Sequence, residues 1–471
     1  METLLPGFNA RLKSAVAGAT STPFVFLGNF EVEEQWAVGE PGLPRLGFTD
    51  GGAVVNSMDE FALLLAGEGD HVVLKDRPDP GYLTYLEGLG LKLPAVHVVT
   101  APEPRRTVTQ DVLADPALRA ALASLAGTDG PAPLLYAHGV SLVEEELSRA
   151  TGLGLAHPTA AVCKAVNSKI YSRRLADELG LAQPRGWACD TVAEFDAAVG
   201  AARELLAQGR KIVLKDAFGV SGKGIMVVES ERRLDRVHRM VLSRAEKAGS
   251  DRVGLVVEEW VAKQTDLNYQ VTVGRDGSVH FDFVKEALTE GGTHKGHRMP
   301  ARLSAEQAAQ ITDAGPRIGE RLAADGYFGV AGMDALLTPD GGVFPVIEIN
   351  ARNNMSTYQV LLQEAFVGEG RVALARHYPL KPVEPVAFDT LSRALDGLLL
   401  DRPDGSGLLV NNFATVNAAV RAAEAAADAT ASTDGRLYGL VVADTAEQVV
   451  AIDTEITARL AAVTEGVRHD S

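Results

Sequence analysis

The sequence predicts an α/β and α+β protein in three consecutive parts, residues 1–155, 156–385 and 386–471, and three observations predict it. Up to residue 155 short apolar runs alternate with helical stretches, the pattern of an α/β domain with a mostly parallel sheet. Between 156 and 385 apolar runs are joined by Gly-rich and Pro-Asp-Gly turns, which is hairpin chemistry. From 386 the chain is Ala-rich yet keeps helical and strand periods, so it reads as a small α/β cap rather than a low-complexity tail. A length of 471 residues agrees with roughly three domains at about 150 residues each.

In the first part, Phe24–Leu27, His71–Leu74, Val96–Val99 and Leu134–Tyr136 are buried-strand candidates, each bounded by Gly, Pro or charge. Gly28 follows the first of them, but no G-x-G-x-x-G does, so the dinucleotide fingerprint is missing. Asn29, Glu31, Glu33 and Glu34 sit just past that strand. Strand ends in such sheets carry ligand sites, but here the run reads first as a solvated acidic turn. Ser141–Ala150 and Ser168–Leu179 are helices, punctuated by Pro158 and Pro184. The central part holds a strand–loop–strand around Gly222, a strand at Gly254–Glu259, and paired strands over 268–285 and 331–350. The tail reads as a helix over 388–400, a strand at Leu408–Asn411, a helix over 417–428, a strand at Leu437–Val442 and a helix over 446–462. No repeat of about 20–50 residues is present.

Hydrophobic residues make up 46% and charged residues 23%, values of an ordinary globular chain. Sixty-two acidic against 45 basic residues leave a net charge of −17, which repels nucleic-acid backbones and anionic lipid, so neither is expected as a partner. Cys163 and Cys189 are too few for a disulfide framework or a cysteine zinc site. No apolar run reaches the ~18 residues of a membrane span. Met1–Thr20 carries Glu2, Pro6, Arg11 and Lys13 and lacks a long apolar core, so no signal peptide is expected and a cytoplasmic location is.

The sharpest local signal runs from Lys211 to Val228: a strand ending in Lys215, the turn Gly219-Val220-Ser221-Gly222-Lys223-Gly224, and a second apolar run. Glycines let backbone N–H groups converge on an anion, and Lys215 adds a point charge. A P-loop fails here, because Ala217 stands where its first glycine belongs and Gly224 replaces the Ser/Thr. Taken alone, the motif fits a plain Gly-rich hairpin as well as a phosphate cradle.

The second signal is Ala331–Leu337, Thr338-Pro-Asp-Gly-Gly342, Val343–Arg352. Pro339-Asp-Gly is a hairpin turn, and the pairing it sets places Asp334 opposite Ile347 or Glu348, burial favouring Glu348. Glu348 and Asn350 share a strand face. Two carboxylates and an amide oxygen among Val, Ile and Leu conflict unless a cation joins them. An all-oxygen donor set with room for phosphate describes Mg²⁺ rather than zinc. Arg352, two residues on, is placed to stabilise a developing oxyanion.

Between the two signals, Glu258-Glu259-Trp260-Val261 ends an apolar run able to offer backbone groups to a flat base, and Glu259 or Asp266 can accept from ribose hydroxyls. Gly291-Gly-Thr-His294-Lys295-Gly-His297-Arg298 reads as an exposed, mobile Gly-rich loop whose cationic side chains suit an anionic ligand. As a zinc site it lacks a third ligand.

Taken in order, Lys169, Lys215 with 219–224, Glu258-Glu-Trp-Val261, Asp334 and Glu348-Ile-Asn350-Ala-Arg352 resemble the ATP-grasp superfamily of ATP-dependent carboxylate–amine ligases, over about residues 160–360. The opening Phe26-Leu-Gly-Asn-Phe-Glu-Val-Glu-Glu-Gln-Trp36 and the tail are similar to pheganomycin-type peptide ligases, with a pre-ATP-grasp domain ahead of the grasp. The resemblance implies an ATP-grasp fold between an N-terminal α/β domain and a small C-terminal α/β cap. It implies ATP phosphates on Lys169, Lys215 and the 219–224 loop, and adenine on the backbones of Glu258 and Val261. Two Mg²⁺ ions, or Mn²⁺ in their place, fall on Asp334, Glu348 and Asn350. Arg352 would hold the carboxylate and acyl phosphate and, with Arg298, stabilise the tetrahedral oxyanion. The implied substrates are a small-molecule carboxylate and an amine, an amino acid or peptide, in natural-product assembly. Alternatives on the same fold are a non-catalytic or regulatory nucleotide-binding protein, a carboxylase or a kinase. Departures from the family pattern are Ala351 in place of the usual proline and Asp266 in place of a glutamate. Oligomeric state stays open, a homodimer being one outcome.

Overall fold

A computed structural model describes residues 7–43, 52–104, 106–127, 130–219, 224–290, 293–426 and 434–466. The first sheet is formed by β1 (Phe24–Leu27), β2 (His71–Leu74), β3 (Ala95–Val98), β4 (Leu134–Ala137) and β5 (Gly154–Leu155), all parallel in the order β3-β2-β1-β4-β5. β1 and β2 lie where the apolar runs predict them. Their side chains are buried on both faces, as a parallel sheet between helices requires. The strand order reverses between β2-β1 and β1-β4, so a crevice opens at the carboxyl ends of β1 and β4.

A second, antiparallel sheet contains β6 (Gly186–Thr191), β7 (Lys211–Asp216), β8 (Ile225–Val228) and β9 (Arg252–Trp260) in the order β6-β9-β7-β8. Phe195, Leu214, Leu234, Leu255 and Val257 form the core between its helices and one of its faces. Lys211, Val213 and Lys215 point to the other face because strand side chains alternate. The third sheet joins β10 (Thr265–Val273), β11 (Val279–Glu290), β12 (Thr293–Met299), β13 (Gly329–Leu337), β14 (Val343–Asn350), β15 (Val372–Leu380), β16 (Gly407–Asn412) and β17 (Gly435–Ala443), in the order β14-β13-β10-β11-β12-β15-β17-β16.

Two expectations change here. Residues 293–299 are not a mobile loop but strand β12, paired on one side to β11 and on the other to β15, with His297 buried. Glycines and cationic side chains hid a strand that is interior to the sheet. The helix expected over 388–400 stops at Ala394, because the chain turns so that Leu399 can bridge Leu408. The tail strands β16 and β17 extend the third sheet through β15 rather than forming a sheet of their own. One hydrophobic core spans the N-terminal and third sheets, with Val25, Leu27 and Leu135 in the same cluster as Tyr269, Met333 and Ile349. Both cysteines are buried free thiols. Among the described residues no helix is long and apolar enough to cross a membrane.

Candidate active site

Ser168 caps the helix Lys169–Glu178 by accepting from the Ile170 amide at 3.2 Å, which starts the helix at Lys169. The Lys169 amide donates to the Ala217 carbonyl at 2.9 Å, tying that helix end to the end of β7. The buried Lys169 Nζ lies 2.8 Å from the Gly219 carbonyl and 2.7 Å from Glu348 Oε1. Burial pulls this ammonium down, but the carboxylates of Glu348 and Glu33 outweigh it, so Lys169 ends above its ordinary range. Lys215, near the end of β7, is ion-paired with Glu258 of β9, whose second oxygen lies 3.6 Å from Arg173 Nη1.

In the β13/β14 hairpin Asp334 is paired directly with Glu348, as burial favours, although the strands leave the turn in a different register, with Leu337 opposite Val343 and Leu336 opposite Phe344. A bulge follows, and Pro345 sits in it, where a residue without an N–H disturbs the ladder least. Its carbonyl accepts from the Tyr269 hydroxyl at 2.7 Å. Asp334 accepts from Asn268 Nδ2 at 2.8 Å and from Asn350 Nδ2 at 3.2 Å. Burial, then the like charge of Glu348, push the Asp334 carboxyl up to about 6. Beside this pair the Oδ1 of Asn268 is buried with no hydrogen-bond partner among the described residues. An unsatisfied amide oxygen next to two repelling carboxylates fits a hard divalent cation that keeps phosphate or water as its other ligands. The Asn350 oxygen, by contrast, is turned to Arg352 Nη2 at 2.9 Å.

Arg352 is held on all sides. Its Nε donates to Glu33 Oε1 at 2.5 Å and its Nη1 to the Asn353 carbonyl at 2.8 Å. Glu33 comes from the short helix Val32–Trp36 just after β1. The acidic turn is therefore only partly solvated, with Glu34 exposed and Glu31 half-buried. Glu33 is buried, and Asn29 is locked by bonds to the Gly139 carbonyl and the His138 amide at 2.8 and 2.9 Å. The strand-end rule was the signal available for Glu33, and charge density in the turn masked it.

These groups line one cavity of about 330 Å³ between the second and third sheets: Lys169, Lys215, Gly219, Glu258, Glu259, Trp260, Val261 and Asp266 with Asp334, Glu348, Asn350 and Arg352. Within it, the Glu259 carboxylate is held by Arg210 Nε at 2.7 Å, and Asp266 is engaged by Lys263 and Thr289. Gly224 closes the β7–β8 turn with φ +79°, a conformation glycine adopts without strain. Val220, Ser221, Gly222 and Lys223 lie outside the described residues. Arg298 is not brought to the cavity. It stands opposite Glu286 and pairs with it at 2.9 Å, while the neighbouring Ala287–His297 pair lines the cavity, so alternation turns Arg298 to the other face of the sheet. His297, expected only as one of several cationic groups on a loop, is a buried residue lining the cavity. Its Nε2 lies 2.8 Å from Ser356 Oγ, and its Nδ1 is buried without a partner among the described residues.

The chain is similar to known proteins over the same stretch. A family model described as the pre ATP-grasp domain matches residues 58–153, and one described as the ATP-grasp domain matches residues 174–359. A [butirosin acyl-carrier protein]–L-glutamate ligase of Niallia circulans is 28% identical over 312 residues, 65% of this chain and 66% of that protein. An L-propargylglycine–L-glutamate ligase of Streptantibioticus cattleyicolor is 30% identical over 184 residues, 35% of this chain and 37% of that protein. The chain thus spans about two thirds of the first relative and little more than a third of the second. Among solved structures, an N5-carboxyaminoimidazole ribonucleotide synthetase in complex with ADP superposes with a TM-score of 0.52 at 12% identity, covering 94% of this chain and 98% of that one. A biotin carboxylase from Campylobacter jejuni gives 0.52 at 14% identity over 91% and 89%. At such identities these two likenesses show the fold. The chain thus has an ATP-grasp fold, with a pre ATP-grasp domain over residues 58–153 ahead of an ATP-grasp domain over residues 174–359.

Proposed function

We propose that this protein is an ATP-dependent carboxylate–amine ligase that forms an amide through an acyl phosphate, releasing ADP and phosphate. The observation that carries the reading is the meeting of Asp334, Glu348, Lys169, Lys215 and Arg352 on one cavity. ATP enters with its phosphates against the two lysines and its base toward Glu258–Val261. Asp334 and Glu348, with Asn268 or Asn350, would hold two Mg²⁺ ions or Mn²⁺, which would supply charge neutralisation for the transferring phosphoryl group. Lys169 and Lys215 position the γ-phosphoryl group against the substrate carboxylate. One carboxylate oxygen forms the new P–O bond and ADP leaves. The amine then attacks the carbonyl carbon, the C–O bond to phosphate breaks, and phosphate departs. Arg352, fixed in place before the reaction, stabilises the tetrahedral oxyanion. Arg298 has no part in this.

The names of the relatives, both L-glutamate ligases, support amino-acid or peptide substrates and a place in natural-product assembly. A cytoplasmic setting, the division at 155/156 and 385/386, and a homodimer belong to the same proposal. The test is ADP and phosphate release with a panel of carboxylates, with and without amines, and mass spectrometry of the product. Amine-dependent turnover with a stable amide is expected. Nucleotide binding without turnover on any pair would favour a regulatory protein instead.

A further inference from the structure

The second sheet keeps a hydrophobic core of its own, apart from the one that unites the other two sheets. Its buried members run from Cys189 to Val257, with one exception among the described residues. Leu43 belongs to the N-terminal part, beyond the end of the helix Val32–Trp36, and is only 3% exposed in this core. A leucine buried so far from its own domain acts as a tether, because withdrawing it opens a cavity and returns apolar surface to water. The residues just before it are fastened to the same sheet. Glu40 reaches from Lys164 Nζ at 2.7 Å, on the helix Ala160–Val166 of the main core, to Arg252 Nη2 at 3.0 Å, at the start of β9. The Gly42 carbonyl accepts from Arg244 Nη1 at 3.0 Å. The chain also passes so near β9 that a Cβ on Gly254 would lie 3.3 Å from the Pro41 carbonyl.

This tether ends on the neck of the β7–β8 turn. The Leu43 amide donates to Asp216 Oδ1 at 2.5 Å. Asp216 ends β7 directly after Lys215, and its own amide donates to the Gly224 carbonyl at 2.8 Å, which draws the two sides of the turn together. Its buried carboxylate is wedged between two glycines. A Cβ at Gly42 would lie 2.7 Å from Oδ1, and one at Gly224 would lie 2.7 Å from Oδ2. A hydrogen bond to a charged acceptor in so tight a place fixes direction as well as distance. We propose that Leu43 is a positioning residue for the nucleotide. From the N-terminal domain it holds the second sheet, and with it Lys215 and the neck of the turn, against the rest of the cleft, with Glu40 and the Gly42 carbonyl as secondary ties. The helix just ahead of it fixes Arg352 through Glu33, so one stretch of the N-terminal domain sets both the phosphate side and the acyl side of the site. The effect on nucleotide rests on the ligase reading; the tether itself does not.

The test pairs calorimetric titration of the full chain with ADP and Mg²⁺ and amide hydrogen exchange of the nucleotide-free protein. Leu43→Ala is expected to weaken ADP binding about tenfold, and Leu43→Met, which keeps the volume, to restore it. In Leu43→Ala, exchange should quicken in β7, β8 and β9 while β10 and β13 keep the parent's rates, the mark of a local release rather than of a weaker fold. Parent-like affinity in Leu43→Ala, or exchange that rises equally in β10 and β13, overturns the proposal. Should Leu43→Ala fail to fold, the double variant Glu40→Gln, Arg244→Gln decides by the same two measurements, since it cuts the secondary ties and leaves the core intact. A parent that binds no nucleotide sinks the ligase reading, and the exchange pattern alone then decides the tether, local quickening supporting it and parent rates in β7–β9 refuting it.

Discussion

Arg352 is one side chain fixed by three stretches of chain: its own strand end through Asn350, the following loop through Asn353, and the N-terminal domain through Glu33. A guanidinium held this way needs no reorganisation when negative charge appears beside it. Arg352→Ala is therefore expected to lower kcat by about 10²–10³ while the KM for ATP changes only a few-fold. Arg352→Lys should recover little, since a point charge cannot reproduce the fork. Steady-state kinetics against ATP and against the carboxylate separates these effects, and a large loss of ATP affinity at unchanged kcat would contradict them. Glu348→Gln removes a carboxylate from both the Asp334 pair and Lys169. ADP formation should fall at least about 100-fold, with the thermal midpoint little changed because Lys169 keeps the Gly219 carbonyl and the field of Glu33. Normal ADP release from this variant would remove Glu348 from the machinery.

At the scale of elements, β6 passes so close to β9 that a Cβ at Gly186 would meet Glu258 Cβ at 2.4 Å and the Val257 carbonyl at 2.8 Å. Gly186→Ala must push β6 away from the strand that carries Glu258. Overpacking of this kind costs about 1–3 kcal/mol, to be read from urea unfolding. Glu258 is also the partner of Lys215, so the KM for ATP should rise in the same variant. Unchanged stability would mean that the edge strand shifts freely. The β13/β14 hairpin was legible because Pro339-Asp-Gly marks its turn, but the pairing of Asp334 with Glu348 also needed the bulge between Asp334 and Leu336. β12 was not, because Gly296 and a run of cationic residues look like a loop until β11 and β15 supply partners on both sides.

At the scale of the whole molecule, the N-terminal sheet carries a histidine that stays neutral for want of solvent. His157 accepts from the Ala137 amide at 3.1 Å and lies against Tyr136, and burial lowers its pKa to about 3. Above pH 6.5 it is neutral in both folded and unfolded chains and changes nothing. Between 6.5 and about 3 the unfolded chain takes up a proton that the folded chain refuses, so stability falls as pH falls. His157→Gln keeps an acceptor without the titration. Its stability in urea between pH 7 and pH 5 should fall less steeply than that of the parent, by about 1.4 kcal/mol per pH unit below 6.5. Equal slopes would show that His157 protonates in the folded state. The same core unites the N-terminal and third sheets, which is how Glu33 reaches Arg352 from more than three hundred residues away.

The sequence by itself determined what depends on neighbours along the chain. Apolar runs fixed β1 and β2, the Pro-Asp-Gly turn marked the β13/β14 hairpin, and the order of lysines, carboxylates and arginine carried the resemblance to ATP-grasp ligases. The tertiary structure alone decided which faces meet. It turned Arg298 away from the cleft, buried Glu33 against Arg352 and made a strand of 293–299. The physical reason is range. Turn chemistry and side-chain period act over a few residues, whereas burial and charge pairing depend on surfaces that come together only when the sheets pack.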